Sequence, residues 1–165
     1  EAVNQARENV EASPWKNRVE VLLQDVCTYT SETGFDTIVS NPPYFIDSLK
    51  CPDNQRTTAR HTDTLDVRRL LGKVVELLTP EGHFSLILPA DQTDGLLRIA
   101  QTDIRLKLTA CSGPGTRPGL PPKRSLVEFR KNAQVCSISE LVIELNRHVY
   151  SEEYMMLTRE FYLKM

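Results

Sequence analysis

The chain has 165 residues, enough for one compact domain with an apolar core, and its 40% hydrophobic and 25% charged residues are ordinary for a globular protein. No apolar run approaches the ~20 residues that a membrane helix needs, and no basic-then-apolar leader reads as a signal peptide, so the expectation is a cytoplasmic protein without a membrane partner. Cys27, Cys51, Cys111 and Cys136 are widely scattered with no CxxC pair, which argues against a disulfide framework or a metal site.

The first twelve residues are rich in helix formers, with Val3, Ala6 and Val10 on one side and Ser13-Pro14 as the stop. Val19–Leu23 is a short apolar run that predicts a strand ending at Gln24-Asp25. Phe35–Ser40 predicts a second strand, halted by Pro42 and Pro43, which cannot donate to a ladder. Leu65–Leu78 has helical spacing and is turned off at Thr79-Pro80-Glu81-Gly82. His83–Leu88 predicts a third strand, Gly95–Thr102 a short helix, and Ile104–Ala110 and Ser125–Phe129 two more strands around a Gly/Pro-rich loop. Ser139–Leu145 alternates as an edge or hairpin strand, and Ser151–Lys164 reads as a helix capped by Ser151. Strands alternating with helices imply an α/β fold with a parallel sheet. Residues 1–165 are expected to form one domain, with 134–165 as a C-terminal strand-plus-helix appendage.

Charge is unevenly distributed around a net of −2. Residues 1–48 carry eight acids against Arg7, Lys16 and Arg18. Residues 98–131 hold Arg98, Arg105, Lys107, Arg117, Lys123, Arg124, Arg130 and Lys131 against only Asp103 and Glu128. This stretch predicts one basic face suited to phosphate contacts, the alternative being charges scattered over the surface.

The strongest chemical signal is Asn41-Pro42-Pro43-Tyr44, placed directly after a predicted strand, where open α/β sheets bind ligands. An exocyclic NH2 is a poor nucleophile because its lone pair is delocalised. Transfer of a methyl group from a sulfonium needs that lone pair directed at the methyl carbon. The side-chain oxygen of Asn41 and the carbonyl of Pro42 are two acceptors able to grip both N–H bonds and favour a pyramidal nitrogen. The two proline rings fix their own φ, and Pro42 keeps Asn41 extended, so the acceptors are held rigidly. Tyr44 and Phe45 offer a flat face on which a planar base or amide can stack. No metal is called for. The competing explanation is a proline-stiffened strand end with a capping Asn.

Asp25, at the end of the first predicted strand, is the candidate acceptor for the adenine N6 of the donor, or else simply caps a turn. Arg56, Arg60 and His61 lie beyond the tetrapeptide in a Thr-rich loop, and Lys123 and Arg124 follow the Pro-rich loop. Each set is a candidate grip on phosphates; the first can instead be read as folding over the active site, with local pairing to Asp53 and Asp63 as its plainer reading. His83 and His148 have no partner at metal or triad spacing and read as structural.

At Asn41–Tyr44 the chain resembles the class I amino-methyltransferases that act on adenine N6 or on glutamine amides. The stretch Arg56–Leu65 and the ending Glu140–Glu144, Tyr150–Tyr154 and Leu157–Leu163 are similar to the bacterial tRNA1(Val) adenine-N6 methyltransferase family. The resemblance implies a Rossmann-like class I methyltransferase sheet, largely parallel with a late antiparallel strand and truncated at its N-terminus, since the glycine turn and acidic ribose residue of such enzymes would precede Glu1. It implies S-adenosyl-L-methionine as cofactor and the anticodon-loop adenosine of a tRNA as substrate. It assigns Asn41, Pro42 and Tyr44 to the amino-binding site, with Pro43 and Phe45 beside them, and Asp25 with Val26 to the donor's adenine. Two alternatives stand next to it: a glutamine-N5 methyltransferase acting on a release factor, and a non-catalytic RNA-binding module.

Overall fold

The computed structural model describes residues 1–42, 66–104, 106–115, 119–132 and 135–162. They fall into two compact units, Glu1–Thr30 and Ser31–Met165.

The first unit opens with α1 (Ala2–Glu11), whose half-buried stripe is the expected Val3, Ala6 and Val10. Ser13 closes the helix: its Oγ donates to Val10 O at 2.8 Å and accepts from Trp15 N at 3.2 Å. Arg7 donates from Nε and Nη2 to the carbonyl of Val21, at 3.3 and 3.2 Å, tying the helix to the segment that follows. That segment is not the strand expected at Val19–Leu23. It has no ladder partner among the described residues, and Val19, Leu22 and Leu23 are 47, 48 and 81% exposed. A strand exists through its neighbour's hydrogen bonds, and apolar content alone does not make one.

In the second unit Gly34, at φ +73°, swings the chain into β1 (Phe35–Ser40). Glycine takes this conformation without the strain a side chain would bring. Helix α2 (Val67–Leu77) follows, capped by Asp66, whose carboxylate accepts from Arg68 N at 2.8 Å. Its buried face is Val67, Leu70, Leu71, Val74 and Leu77, the i, i+3, i+4, i+7 stripe of a core helix. The chain returns as β2 (Leu78–Pro89), longer than the run His83–Leu88, because Leu78 pairs with Phe35 and the register shifts before Thr37 meets His83. Lys131 Nζ donates to Leu78 O, placing a cation at the end of α2.

After β2 come α3 (Thr93–Ile99), prolonged by a π-helical turn at Ala100–Ile104, then β3 (Lys107–Gly115), β4 (Arg124–Arg130) and β5 (Ser137–Val142). The sheet order is β1-β2-β4-β3-β5. Strands β1 and β2 pair in parallel, as do β3 and β5, while β4 runs antiparallel to both of its neighbours. Of these five strands, all but β4 therefore point the same way, the largely parallel sheet with one late antiparallel strand. Along β2 and β4 alternate residues enter the core, among them Phe84, Leu86, Leu88, Val127 and Phe129, which pack with α2 and α3 on one face of the sheet. Phe84 and Phe129 are register partners with ring centroids 6.5 Å apart.

A small hairpin, β6 (Glu144–Asn146) and β7 (Val149–Tyr150), turns through His148 at φ +62°, and α4 (Glu152–Thr158) follows. Ser151 caps α4, accepting from Tyr154 N at 3.1 Å while its hydroxyl donates to Val142 O. A hydrogen bond with Tyr162, helped by burial, holds the Tyr154 hydroxyl above the usual tyrosine range. No helix among the described residues is long and apolar enough to cross a membrane.

Two glycines give opposite expectations. A Cβ on Gly82 would lie 2.8 Å from the Phe35 carbonyl, so Gly82→Ala must push β1 and β2 apart and should cost roughly 1–3 kcal/mol. A Cβ on Gly72, within α2, would meet nothing within 4 Å, so Gly72→Ala should add about 0.5–1 kcal/mol through helix propensity. Urea unfolding of the two variants checks the pair; equal midpoints would contradict the packing described.

Candidate functional site

Because β4 is reversed, its beginning lies at the same edge of the sheet as the ends of the parallel strands. Four segments distant in sequence therefore converge there: Asn41-Pro42 after β1, the 3-10 turn Ala90–Gln92 after β2, the end of β3 at Gly115, and Lys123-Arg124 at the start of β4. The register supports this directly, since Ser40 pairs with Leu86 and Pro89 pairs with Arg124. Only β2 separates β1 from β4, and Asn41 falls two residues short of Arg124 along it, so their backbones stand about 12 Å apart.

Asn41 is exposed, whereas Pro42 is buried. An open carboxamide thus stands on an anchored ring, the arrangement that positional catalysis requires. Lys123 is exposed and Arg124 half-buried. Lys123 O accepts from Ala90 N at 3.1 Å, and in the next layer down Thr93 Oγ1 donates to Ser125 Oγ at 2.8 Å. An acceptor-rich corner and a cationic corner therefore share one edge, able to take an amino group at one point and an anion at the other. Sequence reasoning does not single out the turn after β2. The signal available for it is Pro89-Ala90-Asp91 ending a strand, at the same kind of position as Asn41.

The long basic stretch does not make a single face. Lys107 and Arg130 are paired across β3 and β4 at the opposite edge of the sheet, about 20 Å along β4 from Arg124. Arg130 Nε is 3.2 Å from Glu128 Oε1, and Lys131 is engaged with Leu78 O. A strand carries its two ends to opposite edges, so charges close in sequence separate. Of the described basic residues on β3, on β4 and directly before it, Lys123 and Arg124 reach the edge holding Asn41.

Within the first unit, Asp25 is the N-cap of the 3-10 turn Val26–Thr28. Its Oδ1 accepts from Cys27 N at 2.9 Å, and its carbonyl accepts from Thr28 N and Thr28 Oγ1 at 3.0 and 2.9 Å. The turn-capping role expected for Asp25 is therefore real, yet it uses one carboxylate oxygen. Oδ2 has no hydrogen bond among the described residues, and Val26 beside it is partly exposed. An available carboxylate oxygen next to a backbone N–H is the acceptor-donor pair that complements an adenine edge, so these residues fit a donor carrying adenosine.

Pro43, Tyr44, Phe45, Arg56, Arg60 and His61 lie outside the described residues. His83 Nε2 sits 3.4 Å from Thr37 Oγ1, its register partner, and His148 forms the hairpin turn. Among the described residues, no group of His, Cys, Asp and Glu is arranged to hold a metal ion.

Residues 1–93 match the family model of the methyltransferase small domain. The chain is 57% identical over 165 residues to the tRNA1(Val) (adenine(37)-N6)-methyltransferase of Phocaeicola vulgatus, covering 100% of this chain and 70% of the relative. It is 49% identical over 162 residues to the protein of the same name from Bacteroides thetaiotaomicron, covering 98% and 68%. Among solved structures, a predicted O-methyltransferase from Agrobacterium tumefaciens superposes with a TM-score of 0.71 at 18% identity, over 95% of this chain and 72% of that one. At that identity the superposition speaks for the fold, a class I methyltransferase sheet.

The cap geometry yields its own test. Asp25→Asn keeps an acceptor for Cys27 N–H, and Asp25→Ala removes it. Hydrogen exchange at the Cys27 amide should stay near the parent rate in the first variant and rise by about fivefold in the second, the weight of one net hydrogen bond. Identical rates in both would contradict the bond.

Proposed function

Because this chain belongs to the tRNA1(Val) (adenine(37)-N6)-methyltransferase family, we propose that it methylates the exocyclic N6 of an adenine in tRNA, the anticodon-loop adenosine of tRNA-Val. The observation that carries this reading is the exposed Asn41 on a buried Pro42 at the carboxyl edge of the sheet. S-adenosyl-L-methionine, when bound, supplies the methyl group as an electrophilic sulfonium carbon. Asp25 and Val26 would hold the adenine of that cofactor, Asp25 through the carboxylate oxygen its turn does not use.

Asn41 Oδ1 and the Pro42 carbonyl accept the two N–H bonds of the target amine. This favours the pyramidal nitrogen, directs its lone pair away from the ring, and stabilises the positive charge that grows as the N–C bond forms. The product ammonium is acidic and gives its proton to water, so no general base is required. Tyr44 and Phe45, with Pro43, are the substrate-binding residues for the extruded base, aromatic stacking being worth about 1–3 kcal/mol per base. Lys123 and Arg124, with Arg56, Arg60 and His61, take phosphates flanking it. An unpaired anticodon loop suits this arrangement because its bases are already free of a duplex. The same proposal treats residues 1–165 as a single methyltransferase domain with 134–165 appended, working in the cytoplasm where tRNA is modified.

Two experiments bear on the proposal. Asn41→Ala should lower kcat for tRNA methylation by about 10²–10³ with little change in tRNA KM, because the missing acceptor acts mainly in the transition state. Full activity in that variant would remove Asn41 from the mechanism. Lys123→Ala with Arg124→Ala should weaken tRNA binding and flatten its dependence on log salt by roughly one to two units, one for each phosphate no longer neutralised. An unchanged salt slope would take both residues out of the RNA grip.

A further inference from the structure

Thr93 and Ser125 form a buried polar pair in an otherwise apolar part of the core. They are 8% and 5% exposed, and the Thr93 hydroxyl donates to Ser125 Oγ at 2.8 Å. The core cluster of the sheet and its helices includes Leu88, Leu96 and Val127. Ser125 is the ladder partner of Leu88, and Thr93 begins α3. Two well-packed apolar residues would fill this space at similar or better stability, since a buried polar pair only offsets its own desolvation. What an apolar pair lacks is direction. A hydrogen bond fixes one azimuth and one distance between the first turn of α3 and the first residues of β4.

Those first residues are the cationic corner of the site. Ser125 follows Arg124 and Lys123 directly, and Lys123 O is held by Ala90 N at 3.1 Å. The turn after β2 and the start of β4 are thus joined twice, by a backbone bond at the surface and by a side-chain bond beneath it. Without the lower bond, the angle at the start of β4 is left to the ladders that begin there and to one surface hydrogen bond. The described residues just before it, 119–123, are in no strand, and Pro121 and Pro122 cannot donate to one.

We propose that Thr93 and Ser125 are positioning residues for RNA binding: their buried hydrogen bond sets the angle at which Lys123 and Arg124 meet the phosphates on either side of the target nucleotide. The proposal rests on the reading of Lys123 and Arg124 as the phosphate grip. It goes further in assigning a role to two side chains that never touch the substrate.

The test uses the full chain and a fluorescent RNA stem-loop carrying the anticodon sequence, with binding followed by anisotropy at fixed salt. Thr93→Val combined with Ser125→Ala replaces both partners by apolar groups and leaves no buried hydroxyl unpaired, so a melting temperature close to the parent is expected. RNA affinity should nevertheless fall about fivefold, the equivalent of one net hydrogen bond. Thr93→Ser keeps the donor and should bind like the parent. In the background of Lys123→Ala with Arg124→Ala, the same pair of core substitutions should cost nothing further, because the groups they position are gone. Unaltered affinity in the apolar pair, or a loss that simply adds to that of the cation variants, overturns the proposal. Should the double variant not fold, Thr93→Val and Ser125→Ala alone are read by the same cycle. Methylation is measured in parallel: tight RNA binding with this coupling but no methyl transfer would defeat the enzymatic reading alone, and a parent protein that does not bind RNA would defeat both.

Discussion

The organisation of the second unit depends on how β2 is hydrogen-bonded along its two sides, in parallel to β1 and antiparallel to β4. Parallel pairing forces the crossover through α2, which then covers the sheet with its Val67–Leu77 face. Antiparallel pairing brings the start of β4, and with it Lys123 and Arg124, level with the end of β2. Residues 41, 90 and 123 come to the same end of the sheet through these ladders, and Ala90 and Lys123 are hydrogen-bonded there. The core side chains Phe84 and Phe129 lock the second ladder, each fully buried and each in register with the other. Removing either would cost about 3–5 kcal/mol, a large part of the stability of a small domain.

The edge divides its work between two chemistries. At one corner, an exposed carboxamide and a carbonyl are steadied by a buried proline, which suits accepting hydrogen bonds from an amine. At the other, two cations suit phosphate. The two corners lie about 12 Å apart, within reach of one planar base and its flanking phosphates. In the first unit, one carboxylate oxygen of Asp25 orders its own turn, and the other has no hydrogen bond among the described residues.

Much of this is legible in the sequence where the signal is local. The stripe of α2, the cap by Ser151, the strand before Asn41 and the position of the tetrapeptide at its end all follow from spacing and from proline chemistry. Elements that depend on partners are less readable. Val19–Leu23 has the composition of a strand but no ladder among the described residues, and Arg7 takes the Val21 carbonyl instead. The start of β2 at Leu78 is hidden, because Thr79-Pro80-Glu81-Gly82 reads as a turn and only Phe35 across the ladder makes it part of the strand. The basic stretch misleads for the same reason. Charge along a sequence says nothing of strand direction, and β4 carries Arg124 and Arg130 to opposite edges of the sheet.

The proposed role of Asn41 and Pro42 is to present their oxygens to the amino group of an adenine in RNA. Its most direct measurement is nucleoside analysis by mass spectrometry after incubating the protein with unmodified tRNA-Val and S-adenosyl-L-methionine carrying a labelled methyl group. The account predicts label in N6-methyladenosine, confined to the digestion fragment that contains the anticodon loop. Label on a carbon or ribose position, or label appearing instead in a glutamine of an added release factor, would contradict it.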